Sequence, residues 1–294
     1  MSKKQYIDEG TVIIITGASS GIGKELAIQL AKFKTNLVLI ARRRKLLYKL
    51  KAKLERIGAK VLVINGDIRT YETQKSIIEK TLTTFGKIDI LVNNAGIGKV
   101  NYFAEQPEEE IDQLITTNLS SVIKLTRLVV PIMKANKQGH IINISSALAY
   151  IPNSAFAVYC ATKAAIKTFS DSIRGELKRY DIYVSTVYPG PYKTEFNKVA
   201  GIKGASLPGY DVRKLVEEII KLMCSKKRNL ISPKIYVPLI SLLRILQPIR
   251  KMLANFISRE ALKGKFSDKM STKLIEKKDE IEGKNKIKSI VLSH

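Results

Sequence analysis

A chain of 294 residues with a formal charge of +25 has room for one large α/β domain or two small ones. Two cysteines, Cys160 and Cys224, exclude a disulfide scaffold and a cysteine-rich metal site, and two histidines, His140 and His294, exclude a histidine-rich one, so no metal is expected. The apolar run from Thr11 to Thr16 is too short for a secretory signal, which predicts a cytoplasmic protein.

Runs rich in β-branched residues at 12–16, 36–41, 61–65, 88–92, 140–145 and 182–188 read as strands, with one more expected at 229–232. Between them, 21–34, 43–57, 71–85, 107–135 and 158–180 have helical length and spacing. Strands that do not alternate apolar with polar residues and are separated by helices predict a parallel sheet covered on both faces, a doubly wound α/β fold. A catalytic domain is therefore expected over 1–232. In the segment that follows, 233–262, residues Leu239, Leu242, Leu243, Leu246, Ile249, Leu253, Phe256 and Ile257 form one helical stripe opposite Arg244, Gln247, Lys251 and Asn255, with a kink or new start at Pro248. Its longest charge-free run is too short to span a bilayer. The remainder, 263–294, reads as a basic, mobile tail. Residues 225–294 hold 17 Lys and Arg against 6 Asp and Glu, a net +11 that leaves +14 for the preceding 224 residues, and this gradient suggests an acidic partner surface.

The motif Thr16-Gly17-Ala18-Ser19-Ser20-Gly21-Ile22-Gly23 follows the first strand and opens the first helix. Gly17 permits a tight turn, and Gly21 and Gly23 let a pyrophosphate approach the backbone and the helix N-terminus. The same stretch fits a hydrolase elbow centred on Ser19, but that reading needs a histidine, and His140 starts a strand while His294 is the last residue. The second strand ends in Ala41-Arg42-Arg43-Arg44 without a carboxylate, so Arg42 is the candidate for pairing a 2′-phosphate, and NADP(H) is favoured over NAD(H). Further along, Tyr159 and Lys163 stand one helical turn apart, close enough for an ammonium to favour phenolate and make Tyr159 a proton donor or acceptor. Cys160 beside them reads as a small helix residue rather than a nucleophile.

With Asn93-Asn94-Ala95-Gly96, Asn118, Ser145-Ser146 and Pro189-Gly190 in order around these motifs, residues 10–232 resemble the short-chain dehydrogenase/reductase family in its single-domain, Rossmann-fold form. The resemblance implies that Tyr159 is the general acid/base, that Ser146 binds the substrate oxygen, with Ser145 as rival, and that Lys163 binds the nicotinamide ribose and lowers the tyrosine pKa. Asn118 would hold a water of a proton relay, Asp67 would accept from the adenine amino group, Asn94 and Gly96 would pack near the adenine ribose, and Thr194 would lie near the carboxamide. Pro191 and Ala149 depart from the family pattern at the pocket wall.

The segment 192–210 is expected to form a substrate lid whose Phe196, Val199, Ile202, Leu207 and Tyr210 suit an apolar ligand. Together with the amphipathic segment, it resembles family members that reduce keto groups on lipids such as 3-keto sphingoid bases, 3-oxoacyl compounds and steroids. The expected reaction interconverts a ketone and a secondary alcohol. The partners expected are an apolar carbonyl or alcohol, a peripheral anionic membrane touching 237–262, and a second copy in a homo-oligomer, in its simplest form a dimer; packing of the segment on the chain's own core or on a partner subunit stays open. Few aromatics interleave the basic tail, so nucleic acid is not favoured. The alternative class is a non-catalytic NADP-binding or regulatory protein on the same fold.

Overall fold

Seven strands align in one parallel sheet of order β3-β2-β1-β4-β5-β6-β7 in the computed structural model, which describes residues 7–196, 200 and 209–245. They are β1 (Val12–Thr16), β2 (Asn36–Ala41), β3 (Lys60–Asn65), β4 (Ile90–Asn93), β5 (Gly139–Ile144), β6 (Ile182–Pro189) and β7 (Asn229–Ser232). The central strands β1, β4 and β5 are buried along their whole length, which is why their sequences run apolar without alternation.

Alternate strand residues feed two cores. Ile13, Ile15, Leu37 and Leu39 pack under α1 (Gly21–Ala31), α2 (Arg44–Glu55) and the helix Val212–Ser225, whereas Val12, Ile14, Val38 and Ile40 pack under α3 (Tyr71–Phe85), the helix Ser121–Ala135 and the end of the helix Ala157–Leu177. In chain order after α3 come α4 (Glu108–Ile115), α5 (Ser121–Ala135), α6 (Ala157–Leu177), α7 (Val212–Ser225) and α8 (Tyr236–Ile245). The expected doubly wound fold is therefore the observed one.

Local departures from the sequence reading have local causes. β4 starts at Ile90 rather than residue 88, and the Asp89 carboxylate just before it accepts the Val12 amide at 2.8 Å. The single helix expected over 107–135 is two, joined by a wider π turn at Thr116–Ser120 that carries Asn118. Helix α7 was not expected; Asp211 caps it by accepting from the Arg213 amide at 2.9 Å, and Leu215, Val216, Ile219, Leu222 and Met223 form its buried face.

The start of the amphipathic segment lies on the chain's own body, where Ile240 of α8 packs with Ile151 beside Tyr150, Ile231 and Tyr236. Its continuation with Leu246, Pro248 and Ile257, the tail 263–294, and Val199, Ile202 and Leu207 of the expected lid lie outside the described residues. No described helix is long and apolar enough to cross a membrane.

The strand order reverses between β1 and β4. At such a switch point the two neighbouring loops diverge above the sheet and leave a crevice at the carboxyl ends of the strands.

Candidate active site

The crevice floor is the turn Thr16–Gly23, laced to the loop after β4. The Thr16 hydroxyl accepts from the amides of Asn94 and Ala95, each at 2.9 Å, and the Asn94 side chain donates back to the Thr16 carbonyl at 2.8 Å. Two glycines are dictated by this lacing. Gly17 holds φ +67°, where a Cβ would stand 2.9 Å from the Ala95 backbone, and a Cβ on Gly23 would stand 2.5 Å from the Asn94 amide and 2.7 Å from the Gly17 carbonyl. Gly23 thus serves chain packing more than ligand approach. Gly21 faces Thr194, with 3.4 Å between its notional Cβ and the threonine side chain, while Ile22 turns into the core.

A guanidinium caps the turn, and it belongs to Arg43. It donates to the Ser19 hydroxyl at 2.9 and 3.1 Å and to the Ser20 hydroxyl at 2.5 Å, and it pairs with the Glu195 carboxylate at 2.7 Å. Arg42 is exposed, its carbonyl receiving the Asn65 amide at 2.9 Å, and its charge acts instead on Asp67. Asp67 is gripped by Arg69 at 2.7–3.1 Å, and that hydrogen-bonded guanidinium is the main reason its carboxyl sits below the usual range.

The other end of the crevice is buried. Tyr159 and Lys163 occupy one face of α6, with the Lys163 ammonium 5.7 Å from the Tyr159 ring centroid and donating to the Ile144 carbonyl at 3.0 Å. Ser145 and Ser146 divide their work. The Ser145 hydroxyl donates to the Lys163 carbonyl at 2.8 Å and so fastens α6 to β5, whereas the Ser146 hydroxyl reaches the Tyr159 phenol and accepts from the Leu148 amide at 3.1 Å. Asn118, turned inward by the π turn, donates to the Ile97 carbonyl at 2.9 Å and accepts from its amide at 2.8 Å. Between Asn118 and Lys163 lies Gly96, where a Cβ would come within 3.4 Å of both side chains.

Burial decides the protonation states here. It pushes the Lys163 ammonium down to about 8, and it raises the Tyr159 phenol well above its ordinary value, with the Ser146 hydrogen bond opposing. The phenol thus stands raised by burial in this structure, opposed by the Ser146 hydrogen bond. Burial likewise raises the Cys160 thiol, consistent with its reading as a helix residue.

Apolar groups close around the phenol. Phe156 stands 6.0 Å and Phe196 5.7 Å from the Tyr159 ring, with Val100, Leu114, Ile97 and Leu148 in the same cluster. Phe196 comes from the segment after Pro189-Gly190, whose base is tied by Lys193 donating to the Tyr210 carbonyl at 2.9 Å and Tyr210 donating to the Pro191 carbonyl at 3.0 Å. Gly190 itself packs against Tyr236 and Pro233.

A model of the short chain dehydrogenase family matches residues 11–203. The chain belongs to the short-chain dehydrogenase family. Within this family it is 38% identical over 194 residues to dehydrogenase/reductase SDR family member 7 of Mus musculus, covering 64% of this chain and 57% of that protein. It is 36% identical over 188 residues to 11-beta-hydroxysteroid dehydrogenase-like 2 of Arabidopsis thaliana, covering 63% and 60%. The chain thus spans less than two thirds of these curated relatives. A short-chain dehydrogenase from Sphingobium yanoikuyae solved in complex with NADPH superposes with a TM-score of 0.74 at 30% identity, covering 83% of this chain and 95% of that one. One from Burkholderia phymatum in complex with NAD gives 0.75 at 19%, covering 81% and 94%, a likeness of fold.

The sequence reading of this short-chain dehydrogenase missed Arg43, Glu195 and the Thr16 hydroxyl. Arg43 was indistinguishable from its two arginine neighbours in a run, and Glu195 is brought to it from 152 positions away. It also missed the buried chain behind the site, in which the Asn93 amide donates to Asn143 at 2.8 Å and the Asn143 amide to Ser170 at 2.9 Å, joining β4, β5 and α6.

Proposed function

We propose that this short-chain dehydrogenase is an NADP(H)-dependent oxidoreductase that interconverts an apolar ketone and its secondary alcohol, with Tyr159 as general acid/base. The observation that carries the reading is the convergence of the Tyr159 phenol, the Ser146 hydroxyl and the Lys163 ammonium in a dry cluster at the far end of a crevice that begins at the glycine turn.

The residues fit a dinucleotide. Gly96 has no Cβ to press on Asn118 and Lys163, the amides opening α1 would face a pyrophosphate, and Arg43 with Ser19 and Ser20 offers a donor set suited to a 2′-phosphate. Arg42, Asp67, Asn94, Pro189, Gly190 and Thr194 would line the remainder. When bound, the nicotinamide would supply or take up the hydride.

The chain's own part is proton and charge handling. Ser146 donates a hydrogen bond to the carbonyl oxygen and so stabilises the negative charge that develops there. Tyr159, held protonated by burial, gives its proton to that oxygen; the reverse reaction needs the phenolate, which the cationic Lys163 favours. Lys163 would orient the ribose, and Asn118, fixed on Ile97, would hold the relay that returns the proton. An apolar carbonyl substrate is supported by Phe156, Phe196, Val100 and Leu148 around the phenol, since a hydrated polar substrate would gain nothing from such walls. The start of segment 237–262 packs on the chain's own core at Ile240 and leaves Val237 exposed, and we assign the rest a peripheral contact with anionic membrane, read by liposome co-sedimentation with and without residues 233–294.

NADPH oxidation against ketones ranging from small diketones to 3-keto lipids and steroids tests the reaction. Turnover concentrated on long or polycyclic ketones is expected. Turnover of the small diketones alone would overturn the substrate class, and NADPH binding without turnover of any member would overturn the catalytic reading in favour of a binding protein.

A further inference from the structure

The lid root and the phosphate turn are joined by one ion pair. Arg43, seated on Ser19 and Ser20, reaches Glu195 at 2.7 Å, and both side chains are open to solvent, 45% and 57% exposed. Glu195 lies between two residues with fixed neighbours. Thr194 abuts Gly21 of the turn, and Phe196 lies over the catalytic phenol with its ring tip so close to Gly98 that a Cβ there would stand 2.5 Å away. The closed arrangement is completed by the Val100 amide donating to the Ala200 carbonyl at 3.1 Å and the Ala200 amide to the Phe196 carbonyl at 2.8 Å. Under this cover Tyr159 is only 6% exposed, and of the two phenylalanines at its ring Phe196 is the one carried by the segment after Gly190.

We propose that the Arg43–Glu195 pair is a latch holding Phe196 over Tyr159, which a 2′-phosphate opens by taking the Arg43 guanidinium from Glu195. The inference rests on the NADP(H) reading above and adds to it a coupling between the phosphate site and the cover over Tyr159.

The physical chemistry favours the exchange. An exposed carboxylate–guanidinium pair is weakly held because water screens it and two long side chains must be ordered. A phosphate monoester carries up to two charges and three acceptor oxygens, enough to engage Arg43, Ser19 and Ser20 together. Once seated it also repels Glu195, whose chain neighbour is the plug. A cofactor that ends in ribose hydroxyls lacks both the competing charge and the repulsion and leaves the latch shut. Discrimination between the two cofactors then appears in access to Tyr159 as well as in affinity. Linkage makes the coupling reciprocal: whatever the phosphate does to open the lid, releasing the lid must do to strengthen phosphate binding.

The chain contains no tryptophan, so Phe196→Trp places the chain's single tryptophan at the plug, excited selectively over the tyrosines. Acrylamide quenching of that tryptophan is expected to rise on addition of 2′,5′-ADP, to stay unchanged with 5′-AMP, and to be high from the outset, without further response, when Glu195→Gln is added. Calorimetry on Glu195→Gln with the native Phe196 guards against a perturbed plug: 2′,5′-ADP should bind about two- to five-fold tighter than to the unmodified chain, with 5′-AMP unaltered. If 2′,5′-ADP binds the unmodified chain yet neither moves the quenching nor binds Glu195→Gln more tightly, the latch is wrong and the NADP(H) reading stands. If 2′,5′-ADP binds no better than 5′-AMP, both fall.

Discussion

The two ends of the crevice handle charge in opposite ways. At the end proposed to hold the phosphate Arg43, Glu195 and Arg69 are exposed and Asp67 is half-buried, all of them paired, so their charges are screened and their partners exchangeable. At the end proposed to be catalytic Tyr159 is buried among Phe156, Val100 and Leu114 and Lys163 is buried against the Ile144 carbonyl, so a single proton there changes the local energy by kilocalories. Under the proposed function one crevice would provide a place where an anion can be traded quickly and a place where a proton is held firmly. The difference arises from what surrounds each charge, since both ends use ordinary side chains.

The comparison yields effects of graded size. The largest is expected at the phenol: Tyr159→Phe should lower turnover by about 10²–10⁴-fold while leaving 2′,5′-ADP affinity unchanged in calorimetry. Equal loss of both would show that the two ends are not separable. Next is Lys163, whose folded pKa of about 8 lies below a lysine's ordinary 10.5. Because the depressed value means the folded chain sheds a proton that the unfolded chain keeps, stability gained from neutral Lys163 is present above pH 10.5 and is lost as pH falls through about 8. The difference amounts to about 3 kcal/mol at neutral pH. Lys163→Met should therefore unfold at higher denaturant concentration than the parent at pH 7, with the gap closing by pH 10.5; a variant less stable at pH 7 would place the lysine among stabilising groups instead.

The phosphate end should respond more mildly. Arg43→Ala is expected to weaken 2′,5′-ADP about ten- to a hundred-fold, the worth of charge-assisted hydrogen bonds, with little change for 5′-AMP. A comparable loss from Arg42→Ala with Arg43→Ala silent would return the phosphate to the residue that the sequence reading favoured. The smallest effect is thermal: Glu195→Gln should shift stability by less than about 1 kcal/mol in a melting experiment, as for other exposed pairs. A larger loss would mean that the pair holds the fold rather than the lid.

Much of this was legible beforehand where one chemical pattern serves one local need. β1 and β2 were read to the residue because a β-branched run between a turn and a helix has one use. The spacing of Tyr159 and Lys163 survives because any α-helix puts them on one face. Helix α7 was also legible, in Leu215, Val216, Ile219, Leu222 and Met223 behind an Asp cap, and was passed over between the lid and the last strand. The π turn at Thr116–Ser120 was not legible, because inserting a residue into a helical turn leaves the apolar spacing on either side nearly intact.

The sequence by itself determined the sheet, the glycine turn and the pair on α6, since each depends on contacts within a few residues or on periodicity. Tertiary structure alone decided which of three adjacent arginines faces the turn, that Glu195 holds Arg43, and that burial raises the Tyr159 phenol. Those outcomes depend on which surfaces meet and how much water they exclude, quantities that arise only once distant segments have packed.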